Sequence, residues 1–272
     1  VLPSRHEVVP LPAPAGFLEA AERFGLRFEP GEVESLGLYL ALLLKANETM
    51  NLTAVRDAEQ AWHRHILDSL TLVPLLEDLP PGSRVIDVGS GGGVPGIPLA
   101  IVLPRLEFTL LEATGKKADF LGQAIGILGL GHARVIHDRA ERLGRDRGER
   151  TGAPGGGRVG GHREAYDAAV IRAVGRLAVA AELTIPLVRP GGRVLLIKGA
   201  RSEEELAEAG EALHRLKAVY EGTVETPTGR IVVLGKTSAT PRLYPRADGE
   251  PARAPLGVRR RHPPRGGAGD EP

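Results

Sequence analysis

Arg84-Val85-Ile86-Asp87-Val88-Gly89-Ser90-Gly91-Gly92-Gly93-Val94-Pro95-Gly96 is the stretch that decides the fold. It opens as a short buried-strand pattern, turns over small residues, and runs on into an apolar helix through Leu99 and Leu103. A turn of this kind lets backbone approach a ligand closely and aims the first N–H groups of the helix at it. Four glycines fall in the five residues from Gly89 to Gly93, more than a plain strand-to-helix turn that binds nothing would need.

Downstream, strands and helices alternate. Residues 108–111, 133–136, 167–171 and 193–198 read as strands, and residues 116–128 and 177–187 as helices. Pro190-Gly191-Gly192 turns the chain into the strand that follows. Alternation of this type predicts βαβ units, a parallel sheet and helices on both faces. Right-handed crossovers then reduce the topology to a Rossmann-like doubly wound sheet of the α/β class. Two more strand patterns, 218–223 and 230–235, predict an antiparallel hairpin at the sheet edge.

Upstream the period is helical. Leu36, Tyr39, Leu40, Leu43 and Leu44 form one stripe, and Ile66, Leu67, Leu70 and Val73 keep a helical period within a second helix over 57–76. Pro80-Pro81-Gly82 punctuates the chain. The predicted organisation is a small helical region over 1–80, with a flexible Pro-rich start at 1–14, and an α/β domain over 81–240. A Gly- and Arg-rich insertion at 144–162 interrupts that domain, and a disordered tail covers 241–272. In that tail Arg259-Arg260-Arg261 either touches nucleic acid or stays solvated.

Composition narrows the function classes. The 272 residues are 42% hydrophobic and 25% charged, ordinary for a globular chain, which excludes wholesale disorder. There is no cysteine, so disulfides, thiolate metal sites and cysteine nucleophiles are excluded. No apolar run is long enough to span a membrane and the N-terminus lacks a signal layout, so a soluble, cytoplasmic protein without membrane partners is expected. Arg outnumbers Lys 29 to 6, which fits a GC-rich genome or a thermophilic source. Residues 1–80 carry six basic against twelve acidic side chains, while the remainder is net +7. A basic body behind an acidic front suits a polyanion-facing surface, though many proteins without one share the asymmetry.

The ligand of the glycine turn is open on the residues alone. Gly91, Gly93 and Gly96 satisfy the dinucleotide fingerprint, in a place where glycine is dense. Asp87 argues for another occupant. A carboxylate at the strand end crowds a pyrophosphate but suits an ammonium group, which S-adenosylmethionine carries. Glu112, ending the second strand, would reach a ribose diol in either case, or be a solvated loop carboxylate. No P-loop motif is present, and His63, His65 and Asp68 lack the further ligands of a metal site.

The run D-V-G-S-G-G-G-V-P-G-I-P-L-A-I resembles the first motif of the bacterial small-subunit ribosomal RNA guanine-N7 methyltransferase G family, also called glucose-inhibited division protein B. Asn51-Leu52-Thr53-Ala54-Val55-Arg56-Asp57 and His65-Ile66-Leu67-Asp68-Ser69-Leu70 are similar to its N-terminal signature. Phe108 to Glu112, Gly115-Lys116-Lys117, Phe120-Leu121 and Arg172-Ala173 extend the resemblance over roughly 35–236.

The resemblance implies a class I methyltransferase domain that uses S-adenosylmethionine to methylate guanine N7 in 16S ribosomal RNA, with the small ribosomal subunit as partner. By position, Gly89 and Val94 would line the cofactor beside Asp87 and Gly91. Glu112, Ala113 and Thr114 would contact ribose and adenosine, and Ala140 and Glu141 the adenine side. Arg172 would touch the cofactor near the methyl group and the incoming base, as the catalytic residue. Three departures stand out. Glu112 replaces the usual Asp, Ile171 replaces a common Ser, and the insertion and tail lie outside the family core.

Guanine N7 carries a lone pair and no proton, so its attack on a sulfonium methyl needs no general base. Proximity and orientation suffice, and no nucleophile–base set stands out in the sequence. Arg172 could donate to guanine O6 or hold a phosphate, or could simply pair with a helix carboxylate. Arg64, His65, Lys116 and Lys117 are RNA-contact candidates. His65 could equally be a buried interface histidine, and the two lysines a solvated helix start. Tyr39, Trp62, Phe120 and Tyr166 read as core, and a monomer is expected.

Overall fold

Apolar residues at helical spacing come first in the chain and at strand spacing later, and the two sets meet on one sheet. The computed structural model describes residues 2, 5–150 and 158–257. The helical part comprises α1 (Phe17–Glu22), α2 (Glu32–Met50) and α3 (Ala58–Ala61). From α3 the chain runs without a break through a π-helical turn, Trp62–Leu67, into α4 (Asp68–Leu70), and a 3-10 turn, Val73–Leu75, follows after two residues. The single predicted helix over 57–76 is thus a chain of short helical types. Asp57 starts it as a cap, accepting the Gln60 amide at 2.8 Å.

The sheet follows: β1 (Arg84–Val88), α5 (Gly96–Val102), β2 (Glu107–Glu112), α6 (Gly115–Leu128), β3 (Ala133–His137) and α7 (Ala140–Leu143). A small hairpin of β4 (Glu149–Arg150) and β5 (Arg158–Val159) rises from the predicted insertion. Residues 151–157 lie outside the described residues. Then come β6 (Tyr166–Arg172), α8 (Leu177–Thr184), β7 (Val188–Lys198), α9 (Ser202–Leu216), β8 (Ala218–Thr226), β9 (Gly229–Lys236) and α10 (Glu250–Arg253).

The strand order is β3-β2-β1-β6-β7-β9-β8. Pairing is parallel from β3 to β7 and antiparallel at β7–β9 and β8–β9. The strand order reverses between β1 and β6, the place where open α/β sheets bind ligands at the carboxyl ends of their strands. The parallel sheet and the edge hairpin are as the sequence predicts. Register jumps from Tyr166↔Val188 to Ala168↔Arg193, so Pro190-Gly191-Gly192 loops out of β7.

The sequence reading assigns no element to α9, yet its signal is present. Glu203, Glu204 and Glu205 crowd the first turn, and Ala209, Ala212, Leu213 and Leu216 are buried along one face.

Two cores flank the sheet. On one face Tyr39, Trp62 and Leu70 of the N-terminal helices share a cluster with Ile97, Phe108 and Phe120. On the other, Ile86, Leu111 and Ile171 meet Leu177, Leu213, Tyr244 and Leu256. Membership of Tyr244 and Leu256 corrects the expectation of a disordered tail over 241–272 for residues 241–257; residues 258–272 lie outside the described residues. Residues 241–257 turn back onto the sheet, because burying those two side chains and pairing Arg246 with buried Glu182 offsets the ordering of a Pro-rich segment. The arginine run 259–261 lies outside the described residues. The expected looseness of 1–14 is likewise not seen at Leu11, whose amide donates to the Gly37 carbonyl at 3.1 Å. A Cβ on Gly37 would stand 2.2 Å from the Leu11 oxygen, so only glycine permits this approach.

Candidate active site

The glycine turn is held from two sides. Within the sheet, the Gly89 and Ser90 amides donate to the Leu111 carbonyl at 2.9 and 3.0 Å. From the helical region, the buried Tyr39 hydroxyl donates to the Gly92 carbonyl at 2.8 Å. A Cβ on Gly92 would lie 2.7 Å from Leu43 Cδ1, so α2 sits directly on the turn. Gly89, Gly91 and Gly93 have φ of 75°, 57° and 96°, a region that L side chains rarely adopt.

Asp87 is the penultimate residue of β1, next to this turn. Its Oδ2 accepts the Gly96 amide at 3.1 Å, while Oδ1 is buried with no partner. Burial pushes this carboxyl up to about 7, with the Glu112 charge adding and the Arg172 charge opposing. A Cβ on Gly96 would lie 2.7 Å from Asp87 Oδ2. Gly96 is therefore required by the close approach of this carboxylate to α5. The same carboxylate already accepts an N–H at the start of α5, the kind of donor a pyrophosphate uses, which weakens the dinucleotide fingerprint.

Glu112 braces the turn from β2. Its Oε2 accepts the Gly91 amide at 2.9 Å and its Oε1 the Thr114 amide at 2.8 Å. Each carboxylate oxygen can accept more than one bond, so capacity for hydroxyl donors remains.

Val88 and Gly89 face a cavity of about 430 Å³ at the switch point. Ala113, Asp138, Ala140, Glu141, Val174 and Gly175 also line it, as do Pro251, Ala252 and Pro255. It therefore gathers Gly89, Ala113, Ala140 and Glu141 from three separate parts of the predicted site. Asp87, Gly91, Val94, Glu112 and Thr114 are not among its lining residues, and Val94 is half-buried against the N-terminal core. The Glu141 carboxylate is already engaged: its Oε1 accepts the Gly249 amide at 2.7 Å and Arg139 Nη2 at 3.2 Å.

Beyond β6, Ala173 has φ of 55°, unusual for a residue with a side chain, and the bend it makes carries Val174 and Gly175 into the cavity wall. Arg172 itself points to the helical region. Its Nη2 lies 3.2 Å from Oδ2 of buried Asp68. Asp68 Oδ1 in turn accepts the Thr228 hydroxyl from the β8–β9 turn. The alternative reading of Arg172 as a helix salt bridge is thus realised, but with a buried partner. Its charge also reaches Asp87, Tyr39 and His65.

His65 corrects the RNA-contact expectation. It is 6% exposed, and its Nε2 lies 2.8 Å from Thr53 Oγ1. Burial, helped by the Arg172 charge, lowers it to about 4, so it is neutral at pH 7 and turned away from solvent. Arg64, on the π-helical turn, and Lys116, on α6, are exposed, and Lys117, also on α6, is half-buried. Among the described residues no cluster of three or more His, Cys, Asp or Glu side chains could hold a metal ion. No helix among them is long and apolar enough to cross a membrane.

Three groups escaped the sequence reading: Tyr39, taken as core; Asp68, weighed only as a metal ligand; and the cavity-lining residues after 250. The isolated apolar residues Tyr244 and Leu256 in a Pro-rich stretch were the available signal for the last.

The reversal point, the glycine turn and the cavity beside it define a Rossmann-like protein of the class I methyltransferase type. A protein-family model described as rRNA small subunit methyltransferase G matches residues 32–230. The chain belongs to that family. It is 48% identical over 236 residues to the ribosomal RNA small subunit methyltransferase G of Sorangium cellulosum, covering 87% of this chain and 93% of that protein. The protein of the same description from Roseiflexus castenholzii is 40% identical over 244 residues, covering 88% of this chain and 98% of that one. A solved structure described as a putative S-adenosyl-L-methionine-dependent methyltransferase of Methanococcus maripaludis superposes with a TM-score of 0.49. That match has 12% identity and covers 78% of this chain and 96% of that one, a likeness too loose to bear on the site.

Proposed function

We propose that this protein transfers a methyl group from S-adenosylmethionine to N7 of a guanine in 16S ribosomal RNA of the small subunit, acting as a cytoplasmic monomer. The carrying observation is a cavity that joins Gly89, Ala113, Ala140 and Glu141 in a chain of this family. The donor set fits the cofactor. Asp87 offers an unpartnered buried oxygen suited to an ammonium group, and Glu112 keeps acceptor capacity for a ribose diol. The lining is largely apolar, and the volume falls in the ~300–1,000 Å³ range of ligand sites.

When bound, S-adenosylmethionine supplies an electrophilic methyl. The protein's share is to hold the two reactants in line and exclude water. Arg172 is the residue we assign to the guanine side. Asp68 fixes its guanidinium, leaving donors free for guanine O6 or a phosphate. Arg64, Lys116 and Lys117 contribute positive charge toward RNA.

The test is incubation with tritiated S-adenosylmethionine and small subunits lacking the modification, then digestion to nucleosides. Label is expected in 7-methylguanosine, and Arg172→Ala should lose most of it. Cofactor binding without label would mean another substrate. Failure to bind the cofactor would remove the methyltransferase reading.

A further inference from the structure

The family match ends at residue 230, yet the cavity does not. Pro251, Ala252 and Pro255 line it together with Gly89 and Ala113. This segment is fastened at several points. The Arg163 guanidinium donates to the Thr240 and Tyr244 carbonyls, both at 2.7 Å. Arg246 Nη2 lies 2.6 Å from Glu182 Oε2, and its Nε donates to Oε1 at 2.9 Å, with Glu182 fully buried. Arg246 Nη2 also donates to the Ala254 carbonyl at 2.8 Å, tying the two ends of the segment together. Asp248 accepts from Arg142 and Arg145 at 2.7 and 2.8 Å. Gly249, at φ 74°, turns the chain so that its amide meets Glu141 and the next four residues form α10 against the cavity.

We propose that residues 244–256 are a fixed outer wall of the cofactor site, and that Pro251, Ala252 and Pro255 contact the adenosine part of the bound cofactor. This rests on the reading that S-adenosylmethionine occupies the cavity. Proline and alanine suit the task. They present flat apolar surface to a purine, and proline loses little backbone freedom on ordering. Glu141 then acts as a strut. Its Oε1 holds the Gly249 amide and with it the wall, a role different from the adenine contact that its position in the family implies.

The experiment is calorimetric binding of S-adenosylhomocysteine to the full chain. Ala252→Trp, which fills the cavity from the wall, should weaken binding at least tenfold. Leu243→Ala, on an exposed side chain outside the cavity, should bind as the parent protein does. Amide hydrogen exchange on the unmodified protein supplies a readout that needs no variant. The amides of Glu250, Ala252, Arg253, Ala254 and Leu256 should gain protection when S-adenosylhomocysteine binds. Parent-like affinity of Ala252→Trp, or unchanged exchange over 250–256 in a protein that binds the ligand, would overturn the wall. If the parent protein does not bind S-adenosylhomocysteine at all, the cofactor reading falls first and takes the wall with it.

Discussion

The helical region before β1 and the segment after β9 brace opposite sides of one site by different physics. Before β1 the contact is apolar. Leu36, Leu40 and Leu43 of α2 are fully buried, each worth about 1.5–3 kcal/mol relative to exposure, and a single hydroxyl, Tyr39, reaches the glycine turn. After β9 the buried residues of the segment 241–257 are Tyr244, Pro245, Pro251 and Leu256, and the fastening is carried by charged side chains: Arg163 on backbone carbonyls, Arg246 and Asp248 in ion pairs. A packed helix tolerates loss of one polar contact. A segment held by a few charged bonds concentrates its attachment in single residues.

The sharpest way to break that contrast is Arg246→Ala. It leaves the Glu182 carboxylate buried without its cation, and a loss of about 3 kcal/mol in urea unfolding is expected. A loss below about 1 kcal/mol would mean that the segment is not held by this pair.

Asp87 lies between the two regions and ties the site to pH. Its folded pKa of about 7 is above the unfolded value, so the folded protein binds this proton more tightly than the unfolded chain. Through this group, stability of the free protein falls as pH rises from about 4 to about 7 and is then level. A cationic ligand group favours the ionised form, so cofactor affinity should rise through about pH 7, by about tenfold between pH 5.5 and 8. Asp87→Asn should flatten the profile. A profile unchanged in that variant would place the titration elsewhere.

On the apolar side, Tyr39→Phe should cost about 1 kcal/mol, one buried hydrogen bond, and change cofactor affinity only a few-fold. A loss matching that of Arg246→Ala would erase the distinction between the two regions. The smallest effect is expected from Asp248→Ala. Its pairs with Arg142 and Arg145 are partly solvent-screened, and about 0.5 kcal/mol should be seen, shrinking further in high salt.

How much of this was legible beforehand follows from the same physics. The period of α2 and the βαβ alternation are local patterns, and both read directly from the chain. The role of Tyr39 was hidden because its ring belongs to the core as predicted while its hydroxyl serves a turn 53 residues away. His65 was ambiguous between surface and interior until the π-helical turn, Trp62–Leu67, placed it inward toward Thr53. The segment 241–257 was misread because composition reports the cost of ordering proline, glycine and arginine but not the partners that offset it. Glu182, Glu141 and Arg163 lie tens of residues away.

By itself the sequence determined the sheet, the glycine turn, its two carboxylates and the family resemblance, since these are set by local periodicity and by residues consecutive in the chain. Only the tertiary structure decided that Asp87 caps the Gly96 amide, that Arg172 answers to Asp68, and that Pro251, Ala252 and Pro255 line the cavity. Each of those depends on charges brought within hydrogen-bond distance across the fold, and a one-dimensional pattern carries no record of that distance.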